Sequence, residues 1–190
     1  MNNQLHRRSC RLKGFDYTQA GAYFLTMVAH DRACVFGEII DETAQLSAVG
    51  QMITREWQRL AHRFLTAELD AWVVMPNHVH GIIVITDREE RPGLNTSDHP
   101  DPSHISIHSQ VTVEQFGAPV AGSIPTMIRA FKASTTIRYR RMNQDKAAVL
   151  WQQNYYEHVI RSDLEWENIR DYIHNNPNRW AEDRENRGPA

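Results

Sequence analysis

Trp72-Val73-Val74-Met75-Pro76-Asn77-His78-Val79-His80-Gly81-Ile82-Ile83-Val84-Ile85 sets two apolar, β-branched runs on either side of a Pro-Asn dipeptide. Pro-Asn suits a tight turn and continues a strand poorly, so the stretch reads as a β-hairpin whose second strand begins at His78. Side chains alternate faces along a strand, which puts His78 and His80 on one face and Val79 on the other. Two imidazoles side by side on a rigid strand are half of a metal site. Two histidines packed in, or lining, a sheet are the plainer alternative.

On the N-terminal side of the hairpin, Ala22–Ala29 is rich in strand formers and reads as a first strand. Ser47 can cap a helix running to about Phe64, with Val49, Ile53, Trp57, Leu60 and Phe64 forming one buried stripe. The hairpin's own first strand covers about Leu69 to Met75. On the C-terminal side, residues 87–122 are punctuated by prolines and glycines and are too long for an ordinary connection, so they read as a mobile insertion. His99, His104 and His108 lie in it at spacings that fit no standard ligand pattern. Ser123 opens a second helix, with Ile124, Ile128, Phe131 and Thr135 facing inward. Trp151–Arg161 reads as a fourth strand, and a last helix covers about Asp163 to Asn176, stopped by Pro177. The order β-α-β-β-α-β plus a terminal helix specifies an α+β, ferredoxin-like sandwich with an antiparallel sheet. Residues 1–21 are then a basic arm, 22–180 the domain, and 181–190 a polar, frayed tail.

The bulk properties are those of an ordinary globular chain of 190 residues, 41% hydrophobic and 23% charged. No apolar run approaches the roughly 18 to 20 residues that span a bilayer. The start carries no secretory pattern, and Cys10 and Cys34 are too few for a disulfide framework, so a reducing cytoplasm is expected. Net charge is −2, but its distribution is uneven. Arg7, Arg8, Arg11 and Lys13 precede the first acid, Asp16, and Arg129, Lys132 and Arg140 share a stripe of the second helix that no acid balances. Each is either a solvated surface or a contact for a phosphate backbone.

In the last helix, Trp166, Ile169 and Ile173 mark the inward stripe, and Tyr172 and Asn176 fall on or beside it, one turn apart. An inward Asn is costly unless its amide finds partners. Asn175-Asn176-Pro177 can be a simple helix stop. Alternatively, if the helix crosses the open face of the sheet, Asn176 can give a carbonyl oxygen to a cation held by His78 and His80, with Tyr172 beside it. Nitrogen and oxygen ligands in a partly open site suit Mg²⁺ or Mn²⁺. No third histidine or carboxylate is expected there, which argues against a hydrolytic zinc site.

His78-Val79-His80, preceded by Met75-Pro76-Asn77, resembles the HUH signature of single-tyrosine transposases, and Arg170-Asp171-Tyr172-Ile173-His174-Asn175-Asn176-Pro177 resembles their catalytic helix. Tyr23-Phe24-Leu25-Thr26, Ala130-Phe131-Lys132 and Tyr155–Arg161 extend the likeness, which is nearest to the REP-associated tyrosine transposases. The resemblance implies metal-dependent cleavage and rejoining of single-stranded DNA near a hairpin, through a 5′-phosphotyrosine made by Tyr172. Tyr155 and Tyr156 rank below Tyr172 as nucleophiles, being strand residues suited to packing or base stacking, and His158 reads as structural. The basic arm and helix stripe would hold DNA. A monomer is expected, although insertion-sequence relatives pair into dimers. A hairpin-binding regulator without catalysis and a phosphodiesterase without a covalent intermediate are the competing readings. The insertion departs from compact members of the family.

Overall fold

The computed structural model describes residues 17–86 and 120–186. The expectations for Arg7, Arg8, Arg11, Lys13 and all but the last three residues of the insertion lie outside the described residues. Strand β1, Gly21–Val28, is followed by a short hairpin of β2, Gly37–Ile40, and β3, Thr43–Leu46. Helix α1 spans Ala48–Arg63, β4 Ala67–Val74, β5 His78–Ile85, and α2 Ile124–Met142. Strand β6, Tyr156–Ile160, leads into α3, Asp163–His174, and a 3-10 helix, Pro177–Glu182.

The main sheet has the order β4-β5-β1-β6, every neighbour antiparallel, as a ferredoxin-like sandwich requires. Serine caps start all three α-helices: Ser47 accepts from Val49 and Gly50 N–H, Ser123 from Thr126 N–H, and Ser162 from Glu165 N–H. The α1 and α2 stripes pack on one face of the sheet, where Ile53, Trp57, Met127 and Phe131 meet Leu25, Met27, Val79 and Ile83. Gly81 lies under Trp57; a Cβ there would sit 2.4 Å from Cζ2 of the indole. The opposite face carries a smaller apolar cluster of Ala22, Phe24, Ile82, Ile160 and Ile173, with Trp166 and Ile169 against it, and α3 covers it.

Three expectations need correction. The β2–β3 hairpin was not foreseen, because its turn residues Asp41 and Glu42 both take positive φ (48° and 60°) without the Gly that ordinarily signals such a turn. The fourth strand is shorter: Trp151 makes only an isolated bridge to Ala29, and regular pairing begins at Tyr156. The tail does not fray across its described part. From Pro177 it turns into a 3-10 helix and lays Asp183 and Glu185 back onto the sheet end, where Asn77 Nδ2 donates to the Glu185 carbonyl at 2.8 Å and Arg32 pairs with the Glu185 carboxylate at 3.1 Å.

Candidate active site

The hairpin turn and the strand alternation bring His78 and His80 onto the α3 face, their ring centroids 4.4 Å apart. Each imidazole is aimed by its Nδ1. Asn77, itself buried, gives both amide hydrogens away, to the Arg32 and Glu185 carbonyls, so its Oδ1 accepts from His78 Nδ1 at 2.9 Å. His80 Nδ1 pairs with Thr26 Oγ1 at 2.8 Å across the β1–β5 ladder. Both Nε2 atoms therefore face the same space, the arrangement that oriented metal-ligating histidines adopt.

Into that space come groups from the last helix and the tail. Tyr172 Oη lies 3.1 Å from His80 Nε2. Asn176 is buried just past the end of α3, where its Nδ2 donates to Asp183 Oδ2 at 3.1 Å. Asp183, its side chain 4% exposed, stands 3.9 Å from His78 Nε2. His78, His80 and Asp183 offer three ligand atoms that all lie within 4.8 Å of one another. His78 Nε2 and Asn176 Oδ1 are buried and have no hydrogen-bond partner among the described residues. Orphaned buried acceptors are rare, and two in one cluster beside a carboxylate fit a divalent cation.

The electrostatics agree. Burial pushes the His80 imidazole well below its ordinary range, and His78 beside it pushes further. Burial also lowers His78, with Asp183 and Glu185 pulling the other way. Neutral imidazoles are what a cation requires. Burial raises the Tyr172 phenol and the Asp183 charge raises it further, against a smaller lowering from its contact with Asn176.

Sequence reasoning placed His78, His80, Tyr172 and Asn176 together, and they are together. It missed Asp183, which lies in a stretch read as a frayed tail; the expected absence of a carboxylate is corrected on that account. It also missed Thr26 and the orienting role of Asn77, which it read as a turn residue. His158 is held away from the site by Glu165, 2.7 Å from its Nε2. Tyr155 and Tyr156 point to opposite sides of the β6 edge. Tyr155 lines a groove beside α2, whereas Tyr156 is 52% exposed against Phe24, whose ring stacks on His80 at 5.4 Å and meets Tyr172 edge-on.

Arg129, Lys132 and Arg140 do not join the site. They line that groove of about 520 Å³ with Thr136, Gln153 and Tyr155, on the helix that covers the other face of the sheet. Lys132 Nζ donates to the Gln152 and Asn154 carbonyls at 2.8 and 2.9 Å, so it first serves as a tether for the loop that precedes β6. Arg140 Nε donates to the Ala148 carbonyl, and Arg129 is exposed.

No protein-family model matches the chain. An uncharacterized protein of Haemophilus influenzae is 35% identical over 94% of this chain and 92% of its own length. A second protein of that organism, named "Putative REP-associated tyrosine transposase", is 22% identical over 85% of this chain and 73% of its own. Among solved structures, a REP-associated tyrosine transposase bound to a REP hairpin superposes with a TM-score of 0.53 over 86% of this chain and 70% of that one, at 18% identity.

Proposed function

We propose that the chain is a REP-associated tyrosine transposase, a reading supported by its likeness to the relative of that name and by the shared fold, and that it cleaves and rejoins single-stranded DNA beside a hairpin through a covalent bond to Tyr172. One observation carries the reading: a half-exposed phenol whose oxygen is 3.1 Å from His80 Nε2, within a cluster of His78, His80, Asn176 and Asp183 in which two buried acceptors lack partners among the described residues. A bound Mg²⁺ or Mn²⁺ would supply charge stabilisation at the scissile phosphate. His78 and His80, with Nδ1 atoms tied to Asn77 and Thr26, hold their Nε2 donors in place, and Asn176 Oδ1 and the Asp183 carboxylate complete the set.

The step transfers a phosphoryl group. Tyr172 Oη bonds to phosphorus, the bond from phosphorus to the 3′ oxygen breaks, and that oxygen leaves as a hydroxyl. The proton lost by the phenol equals the proton gained by the 3′ oxygen, so the step is neutral overall. The phosphotyrosine retains the diester's free energy, and a second 3′-hydroxyl can reverse the step without ATP. An unperturbed phenol titrates at about pH 10 and is a poor nucleophile at neutral pH, and burial beside Asp183 raises Tyr172 further, so its activation would come from the charge of a cation held by the cluster. Exposed Tyr156, beside Phe24 on the same face, is placed to stack on an unpaired base. The α2 groove, with Arg129 and Arg140 on its rim, would take the phosphate backbone of the hairpin stem. The basic arm would add to that hold, and the protein would act as a monomer.

The Asp183 carboxylate favours one other reading, since two histidines and an acid are also a hydrolytic metal set: a phosphodiesterase with Tyr172 as packing. Labelled single-stranded DNA carrying a hairpin, incubated with Mn²⁺ and run on a denaturing gel, separates the readings. A metal-dependent protein–DNA band that vanishes in Tyr172→Phe is expected. Free cleaved product without that band would establish hydrolysis, and hairpin binding without any cleavage would establish a regulator.

A further inference from the structure

Strand β4 is irregular at one point. It pairs with β5 at Ala67–Leu69 and again at Trp72–Val74, with a register shift between Leu69 and Trp72. Leu69 and Trp72 consequently both pack on the larger apolar cluster, although three positions apart, while Ala71 and Val73 pack on the smaller one. Such a bulge adds a residue to one strand and re-aims a side chain, and Asp70 sits at it.

The Asp70 carboxylate meets α3. Its Oδ2 accepts from Trp166 Nε1 and from Arg170 Nε, the latter at 2.8 Å, and the Arg170 guanidinium lies 5.1 Å over the Trp166 ring. Trp166 and Arg170 are one helical turn apart, and Arg170 is two residues before Tyr172. One oxygen atom thus fixes both the rotation of α3 and its distance from β4. The apolar side of α3 would set these weakly, since Ile173 is its single fully buried residue. In its first turn, α3 is also tied to β6 through Glu165, which accepts from the Arg161 N–H and pairs with His158.

We infer that Asp70 is a positioning residue for the reaction: it holds α3 in the rotation that aims Tyr172 Oη at His80 Nε2. The inference rests on Tyr172 being the nucleophile, since a displacement of about 1 Å at a reacting group costs roughly 100-fold in rate. A bulge in β4, an edge strand of the sheet, thereby controls a bond made over β5.

Two readouts test it on the full-length protein. The first is the ¹⁵N resonance of His80 Nε2 in protein kept free of divalent metal, with Tyr172→Phe as the reference for loss of the phenol contact. Asp70→Ala is expected to move that resonance toward the Tyr172→Phe position and leave His78 where it is. The second is the single-turnover rate of the covalent adduct, expected to fall roughly 100-fold with the Kd for hairpin DNA unchanged. Trp166→Phe keeps the aromatic packing and removes one N–H; it should shift both readouts in the same direction by less, and it carries the test if Asp70→Ala does not fold. An unchanged His80 resonance overturns the inference, as does a loss of DNA affinity that matches the loss of rate. A wild-type protein that forms no adduct overturns the proposed function instead, and the resonance comparison still decides for or against Asp70.

Discussion

Toward α1 and α2 the central strands present Leu25, Met27, Val79 and Ile83, each fully buried in one apolar cluster. Toward α3 the same strands present Phe24, Thr26, His78 and His80, three of them able to hydrogen-bond or ligate. Alternation makes the division residue by residue: Val79 is core, and its neighbours on both sides are site. The arrangement explains how two buried imidazoles keep a fixed aim. The strand under them is clamped from behind by Trp57 and Phe131, and side chains on a clamped strand are placed more tightly than those on a loop. Burial on one face stabilises the chain; burial on the other favours neutral histidines and leaves two acceptors without partners among the described residues.

If that division holds, damage on the site face removes chemistry first. His80→Ala is expected to abolish adduct formation and to remove most Mn²⁺ binding in a calorimetric titration, with the cooperative unfolding transition still present. Retention of full cleavage would break the comparison at its centre. Asp183→Asn keeps the shape of the tail and removes one charge. Mn²⁺ affinity should fall by at least about 10-fold, and an unchanged isotherm would return Asp183 to a purely structural part.

Damage on the core face should do the reverse. Gly81→Ala adds a methyl where Trp57 Cζ2 already stands 2.4 Å from the Cβ position. Overpacking of this kind costs about 1–3 kcal/mol, read as a lower urea midpoint, while the Mn²⁺ isotherm stays as in the wild type. A change in metal binding without a change in stability would show that the faces are not separable through β5.

The legibility of the two faces in the sequence differed for physical reasons. The core face was readable because helical and strand periodicities announce themselves locally: Ile53, Trp57 and Leu60 on α1, and Ile124, Ile128 and Phe131 on α2, all lie buried. On the site face, His78 and His80 were readable from period-two alternation, and Tyr172 with Asn176 from helical spacing. Asp183 was not. A lone acid in a polar tail carries no periodicity, and only the turn at Pro177 brings it back. The Asp41–Glu42 turn was equally silent, since non-glycine residues there take positive φ. Asp70 could not be found by alternation at all, because the bulge that presents it is a break in alternation.

The α2 groove extends the comparison to a surface distant from the histidines. Arg129→Ala combined with Arg140→Ala should leave Tyr172 chemistry on a short unstructured strand unaltered, and lower the salt slope of hairpin binding by roughly 1 to 2. An unchanged slope would take the groove out of the DNA path and confine recognition to the α3 face.

Lys132 gives the smallest effect and the finest distinction. Burial pushes its ammonium down to about 8 from the ordinary 10.5, although two carbonyls accept from it. Below about pH 8 the folded and unfolded chains both hold the proton, and the cost of burying the charge is present in full. Between about 8 and 10.5 the folded protein has released a proton that the unfolded chain retains, so stability rises with pH across that window. Replacement by Met removes the titration. The stability of wild type relative to Lys132→Met, from urea unfolding, should therefore be flat up to pH 8 and climb above it. A difference that stays flat to pH 10 would mean a solvated ammonium, free to meet phosphate as Arg129 is. A climbing difference makes Lys132 part of the packed face, holding the Gln152–Asn154 loop at the rim of the groove.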